Sequence, residues 1–228
     1  FVTARDRIWT RPAGGSMIIL HHLNNSRSQR VIWLLEELGL EYDVRHYRRN
    51  ADMSAPDELK RVHPLGKSPV IEDAGHGDTQ PILTETAAIC EYLVAKVDGQ
   101  MGPPEGPSGL LRYRMFLHYA EGSVMPVLFA LLAVSRVPLL GKVAFKRLRP
   151  MLDVHLDYIE TELSTRPWFA GESISAADVM MSFPLEAAAK NARLSGSRPA
   201  IAEWLKRIHA RPAYIRALEK GGPYRFAQ

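Results

Sequence analysis

Short strand-like runs alternate with helical stretches over the first hundred residues, and past residue 108 the apolar spacing is helical throughout. Ile18 to Leu23 predicts a first strand. Ser28 to Leu38 carries Val31, Leu34, Leu35 and Leu38 on a 3.6-residue period, so it predicts a helix, and Gly39 closes it as a left-handed cap. Tyr42 to Tyr47 alternates and predicts a second strand, parallel to the first through a right-handed crossover. Val70 to Glu72 and Pro81 to Leu83 bracket Ala74-Gly75-His76-Gly77-Asp78, whose glycines mark a hairpin, and Thr84 to Val97 predicts a closing helix.

This βαβ-then-ββα order is the plan of a thioredoxin-like domain over residues 17–98. Residues 99–107 contain Pro103, Pro104, Gly106 and Pro107 and read as a linker. Helices are expected over Leu110–Leu132, Lys142–Leu163, Ala176–Ala189 and Ala200–Ala210, which makes residues 108–228 an all-helical bundle. Pro126 is expected to kink the first of them. Ser175 with Asp178 three residues on, flanked by Ile174 and Val179, reads as a capping box variant with a hydrophobic staple, a structural device.

Composition narrows the classes. At 228 residues and 46% hydrophobic content the chain suits two small globular domains. No apolar run approaches the ~20 residues of a membrane span, so no membrane partner is expected. Residues 1–16 show neither period nor an apolar leader core and read as a non-native or disordered tail; their charges supply two of the four net positive charges. The rest is near neutral, and Lys142, Lys146, Arg147 and Arg149 fit the solvated side of a helix, so no nucleic-acid partner is expected. The single cysteine, Cys90, suits a reducing cytoplasm and falls on an inner helix face as a structural thiol. His21 and His22 lack metal-ligand partners at useful spacing, so no metal is expected.

Two segments carry candidate chemistry. In Leu65-Gly66-Lys67-Ser68-Pro69-Val70, a strand is entered through a Ser-Pro bond open to the cis form, which turns backbone N–H and C=O groups toward a peptide-like ligand. In Leu83-Thr84-Glu85-Thr86, an acidic residue opens a helix, where free N–H groups accept a carboxylate while Glu85 holds an ammonium group. A small zwitterion with a peptide tail fits both.

At these residues, and at Ile18-Ile19-Leu20-His21-His22-Leu23, Asn24-Asn25-Ser26-Arg27-Ser28-Gln29-Arg30 and Ile174-Ser175-Ala176-Ala177-Asp178, the chain resembles the glutathione transferase superfamily. The order and spacing of the motifs run from Met17 to the end. The resemblance implies glutathione as co-substrate and a twofold homodimer. It implies that Lys67, Ser68, Pro69, Glu85 and Thr86 bind glutathione, with Lys67 on the glycyl carboxylate and Arg48 or Arg49 as weaker candidates for that group.

Relatives hold the glutathione thiolate with a tyrosine, serine or cysteine in the loop after the first strand. Asn25 stands at the serine or cysteine position, a departure. Asn25 through its amide and Ser26 through its hydroxyl are the candidate thiolate donors; the alternative is that Asn24, Asn25, Ser26 and Ser28 form a turn and cap the helix. A small hydrophobic electrophile is expected between the domains, with Met115, His118, Tyr119, Gly122 and Met125 on one helical stripe, a pattern that plain core also produces. Peroxide reduction or isomerisation with glutathione, and a non-catalytic binding or assembly module of the same fold, are the alternative functions.

Overall fold

The computed structural model describes residues 17–74, 82–138, 140–192 and 198–227. The tail to Ser16 and the hairpin residues Gly75 to Asp78 lie outside the described residues. In chain order the elements are β1 (Ile18–Leu23), α1 (Ser28–Leu38), β2 (Tyr42–Tyr47), α2 (Glu58–Val62), β3 (Val70–Asp73), β4 (Ile82–Leu83) and α3 (Thr86–Lys96). They continue as α4 (Gly106–Tyr119), a π-helical turn (Ala120–Val124), α5 (Met125–Ser135), α6 (Leu140–Thr165), α7 (Ala176–Ala192), α8 (Pro199–His209) and α9 (Pro212–Gly221).

Two compact units result. The first takes the chain up to Gly102 together with Pro212–Arg225, and the second takes Pro103–Arg211 with the residues from Phe226 on. Helix α9 therefore belongs with the thioredoxin-like unit, where the sequence pattern placed everything after residue 107 in the helical domain.

In the first unit the strands lie in the order β2-β1-β3-β4. β1 and β2 are parallel, with Leu20 opposite Val44, while β3 runs antiparallel to both β1 and β4. Ile18 and Leu20 on one face of the central β1 and His21 on the other are fully buried, as a strand covered on both sides requires. Gly39 ends α1 at φ 62°, donating its N–H to the Leu35 carbonyl.

α9 closes on α1. Gln29 Nε2 donates to the Ala217 carbonyl at 2.7 Å, and the Trp33 and Tyr214 rings meet edge to face. Gly221 leaves room for the Gln29 amide, because a Cβ there would come within 2.2 Å of Gln29 Oε1 and push the amide aside.

Glu36 on α1 ties the same contact together. It accepts from Tyr42 at 2.6 Å, Arg216 at 2.6 Å and Lys220 at 2.7 Å. Burial pushes its carboxyl up, yet the bonds from Lys220, Tyr42 and Arg216 prevail and hold it down at about 2. A depressed carboxylate stabilises the fold above its unfolded pKa near 4.5 and loses that contribution as pH falls through about 2. Because Arg216 and Lys220 are half exposed, we discount the full shift and expect Glu36→Gln to cost roughly 1–2 kcal/mol at pH 7. Urea titrations should show that gap closing as pH falls toward 2; a gap that persists in acid would mean packing, not charge, holds α9.

In the second unit α4 begins at Gly106 with Pro107 in its first turn, so part of the expected linker is helix. A proline in the first turn gives up an N–H that has no helical partner anyway. Pro126 does interrupt the following helix: the π-helical turn precedes it, and Pro126 sits in the first turn of α5. Prolines also lie inside α6 at Pro150 and inside α7 at Pro184, positions the periodicity did not flag.

Gly106–Ser135 taken as one stretch reaches membrane-spanning length and hydropathy, which differs from the expectation that no segment approaches a membrane span. Its buried side, Tyr113, Phe116, Leu117, Ala120, Val124, Leu128 and Leu131, forms part of the core of the second unit.

α7 runs through the centre of this unit. Asp178 in its first turn accepts from the Ser175 N–H at 2.9 Å and the Ser175 hydroxyl at 3.1 Å. Its other oxygen accepts from the Phe169 N–H at 3.0 Å and Trp204 Nε1 at 3.3 Å. The expected capping box thus extends into a buried junction between the loop before α7, the helix itself and α8.

Candidate functional site

The candidate residues of the first unit gather around the ends of β1, β3 and the start of α3. Ser68 precedes β3, and the Ser68–Pro69 bond is cis. Its hydroxyl donates to the His21 carbonyl at 2.7 Å and accepts from the Leu23 N–H at 3.2 Å. The side chain thereby continues the β1–β3 pairing beyond the Val70–His21 pair, so it fixes the segment's position. Lys67 beside it is exposed. It follows Gly66, which at φ 56° closes a turn by donating its N–H to the His63 carbonyl.

Glu85 stands immediately before α3 at φ 66°, ψ 115°. A side chain at such an angle costs of order 1–3 kcal/mol, and strain of this size collects at ligand-holding positions. The Glu85 carboxylate makes no cap bond and is exposed, while its carbonyl accepts from the Ile89 N–H at 3.0 Å. Thr86 is buried. The first N–H groups of α3 have no helical acceptor by position, so a carboxylate acceptor and free donors adjoin.

The loop between β1 and α1 is the third part. Asn24 is braced from outside: its side-chain oxygen accepts from the Arg49 N–H at 2.9 Å and its carbonyl from Arg49 Nε at 3.3 Å. Arg49 is held there by its Nε and by Nη1, which donates to the Met53 carbonyl at 3.0 Å. Asn25 takes a left-handed backbone, φ 52°, and its Oδ1 accepts from the main-chain N–H of Arg225 at 2.8 Å.

Ser26 is buried and joins a chain of polar groups. Ser26 Oγ lies 2.7 Å from Ser28 Oγ, which lies 2.8 Å from His22 Nδ1, and Ser26 Oγ also accepts from the Ser28 N–H at 3.2 Å. Burial and the neighbouring His46 lower the His22 pKa to about 4, against a hydrogen bond to the Gly221 main chain that raises it. His22 is neutral at pH 7.

Both readings of this loop therefore hold part of the ground. Ser26 and Ser28 satisfy one another and the start of α1, while the Asn25 amide makes one bond through its oxygen. The reading of His21 and His22 by spacing alone missed this chain, although a histidine six residues before a serine across one loop is the pattern that carries it. His21 is structural, bonding Tyr47 at 2.8 Å and Glu72 at 2.7 Å. Cys90 is wholly buried, and burial, partly offset by Arg30, pushes its thiol up to about 12, so it stays protonated.

The expected electrophile stripe does not form one open row. Met115 and His118 are exposed on α4, and Tyr119 bonds His155 Nδ1 at 2.5 Å and packs against Phe116 and Tyr158. Gly122 is exposed, but Met125 is buried. The π-helical turn adds a residue between Tyr119 and Met125 and rotates the later part of the stripe inward.

Known proteins resemble this chain in sequence and fold. A family model described as "Glutathione S-transferase, N-terminal domain" matches residues 26–96, and one described as "Glutathione S-transferase, C-terminal domain" matches residues 133–212. Glutathione S-transferase 3 of Schizosaccharomyces pombe is 36% identical over 218 residues, covering 90% of this chain and 88% of its own. A glutathione S-transferase structure from Actinobacillus pleuropneumoniae superposes with a TM-score of 0.80 at 33% identity, covering 93% of this chain and 96% of that one. A glutathione transferase family member from Pseudomonas fluorescens, solved with two glutathione molecules bound, gives 0.76 at 25% identity over 89% of this chain and 92% of that one. With its motifs, fold and relatives in agreement, this chain belongs to the glutathione transferase superfamily.

Proposed function

We propose that this protein is a glutathione transferase that holds glutathione as its thiolate and presents it to a small hydrophobic electrophile. The observation that carries the reading is Glu85, held at a strained backbone angle with its carboxylate exposed beside the free N–H groups of α3. A residue whose side chain makes no cap bond and has no hydrogen-bond partner among the described residues has no need of that angle for folding. Glu85 receives the ammonium group of the γ-glutamyl end and the start of α3 its carboxylate. The main chain at Ser68 pairs with the peptide, and Lys67 takes the glycyl carboxylate. The Pseudomonas relative with bound glutathione supports the same ligand here.

The thiol of glutathione loses its proton to solvent, and donors in the Asn25–Ser26 loop at the start of α1 stabilise the anion. The sulfur then forms a bond to an activated carbon, and a halide leaves with its electron pair, or an unsaturated bond opens and takes up a proton. No protein nucleophile takes part, and the buried Cys90 is out of reach of such a role. Met115, His118 and Tyr119 are the side chains to examine first for the electrophile. Exposed apolar residues on α4 (Leu111, Met115) and α6 (Met151, Val154) support a homodimer. Asn25 in place of the family's serine or cysteine is the one feature favouring a non-catalytic binding module.

Calorimetric titration with glutathione separates the two. Micromolar to low-millimolar binding, with the bound thiol ionising about two pH units below the free thiol's ~8.5, is the expected result. Absence of heat at millimolar ligand would reject the transferase reading, and binding with an unchanged thiol pKa would leave the binding module.

A further inference from the structure

We propose that the chain following α9 is a positioning element of the thiolate site: the main-chain N–H of Arg225 fixes the Asn25 amide so that its Nδ2 group is the donor presented to the glutathione sulfur. The inference rests on the transferase reading above and selects between the two candidate donors in its loop.

Proton direction in the loop excludes Ser26. His22 has two ring nitrogens; one bonds the Gly221 main chain, which leaves Nδ1 of the neutral ring to accept from the Ser28 hydroxyl at 2.8 Å. With the Ser28 proton so placed, the 2.7 Å bond between the serines is donated by Ser26. Ser26 therefore commits its only proton to Ser28, its oxygen already accepts from the Ser28 N–H, and it has no donor left for a thiolate. Among the described residues, the charged and titratable groups beside this chain include His46, against the His22 ring, Arg49, braced on Asn24, with Arg27 coupled to it, and Arg225 at Asn25.

Asn25 is the remaining donor, and its orientation is set from the far end of the sequence. An amide has two similar ends, and only a fixed partner decides which one faces a ligand. A main-chain N–H cannot accept, so the end that meets Arg225 at 2.8 Å is Oδ1, and Nδ2 is turned away from it. The left-handed backbone of Asn25, φ 52°, is one that asparagine tolerates better than most residues, which accounts for this residue type at the position. The strap that brings Arg225 there is α9, anchored by Ala217 on Gln29 and by Arg216 and Lys220 on Glu36.

The test uses the full chain and two ligands, glutathione and S-methylglutathione, which has no thiol to ionise. Arg225→Pro removes the N–H. It is expected to raise the bound thiol pKa by about one unit, equivalent to about tenfold less thiolate at pH well below that pKa, and to lower kcat by a similar factor. Affinity for S-methylglutathione should change less than twofold, a split that general loosening of the fold would not produce. Arg225→Ala retains the N–H and should move the thiol pKa less. Should the proline variant not fold, a chain ending at Tyr224 carries the same expectation.

Asn25→Asp distinguishes failure of the strap from failure of the parent reading. Aspartate tolerates the backbone angle and still accepts from Arg225, but offers the sulfur no donor, so the thiol pKa should return to that of free glutathione or above. If Asn25→Asp raises the thiol pKa and Arg225→Pro does not, the positioning role is overturned while the transferase reading stands. If Asn25→Asp leaves a low thiol pKa, Asn25 is not the donor and the whole inference falls.

Discussion

Glu85→Gly is expected to make the protein more stable and glutathione binding on the order of a hundredfold weaker, equivalent to about 3 kcal/mol. The two effects have separate origins. Glycine adopts φ 66° without a Cβ clash, so the strain of the glutamate disappears, while the extra freedom of glycine in the unfolded chain takes back part of the gain. A net stabilisation of about 1 kcal/mol follows, or a Tm higher by about 2–4 °C for a chain of this size. The carboxylate proposed to pair with the ligand ammonium is lost at the same time. Glu85→Gln divides the effects: it retains the backbone strain, so stability should not rise, but affinity should fall nearly as far. Thermal melts and calorimetry read the two quantities independently. Wild-type affinity in the glutamine variant would show that the carboxylate is not the ligand group.

The largest stability loss is expected at Asp178. Alanine there would leave four buried donors, from Phe169, Trp204 and both groups of Ser175, without an acceptor, at a total cost of about 3–5 kcal/mol. Asparagine offers one oxygen but turns an amide donor against the others, so it should recover only part. Burial pushes the Asp178 carboxyl up to about 6, against the bonds from Phe169, Ser175 and Trp204 that lower it. Because the folded value is raised above 3.8, this group's contribution to stability is full below about 4 and is lost as pH rises through about 6, then stays level. Denaturant titrations at pH 7.5 lie on the level part and give the cost of losing the charged acceptor. A loss under 1 kcal/mol in Asp178→Ala would mean that water replaces the carboxylate and that the junction is not the centre of the unit.

Most of the fold was legible in the pattern of residues because each element signals locally. The β1–α1–β2 crossover, Gly39 as a left-handed stop and the Ser175–Asp178 start of α7 depend on residues within a few positions of one another. α9 was not expected, because the helices predicted from the apolar spacing stop at Ala210, just before Pro212. Pro212 is in the first turn of a new helix, and Ala213, Tyr214, Ala217 and Gly221 form its buried stripe. The π-helical turn was illegible for a different reason: a stripe counted at constant period cannot anticipate an added residue.

The candidate site divides in the same way. Lys67, Ser68, Glu85 and Thr86 were visible as residue types at the entries to β3 and α3. The strain at Glu85, the direction of protons from Ser26 to His22 and the bond from Arg225 to Asn25 depend on angles and on contacts up to 200 residues apart in sequence.

Placing α9 in the first unit also governs the order in which this protein can be completed as it leaves the ribosome. The strands of the thioredoxin-like unit are synthesised first, but Trp33 and Gln29 wait for Tyr214 and Ala217, close to the end of the chain. The helical unit, apart from its last few residues, is encoded within that wait. The unit that begins first must wait for the helix that starts at Pro212, so a nascent chain stalled before residue 212 holds its thioredoxin-like unit with one apolar face uncovered, the condition in which chaperones and aggregation compete.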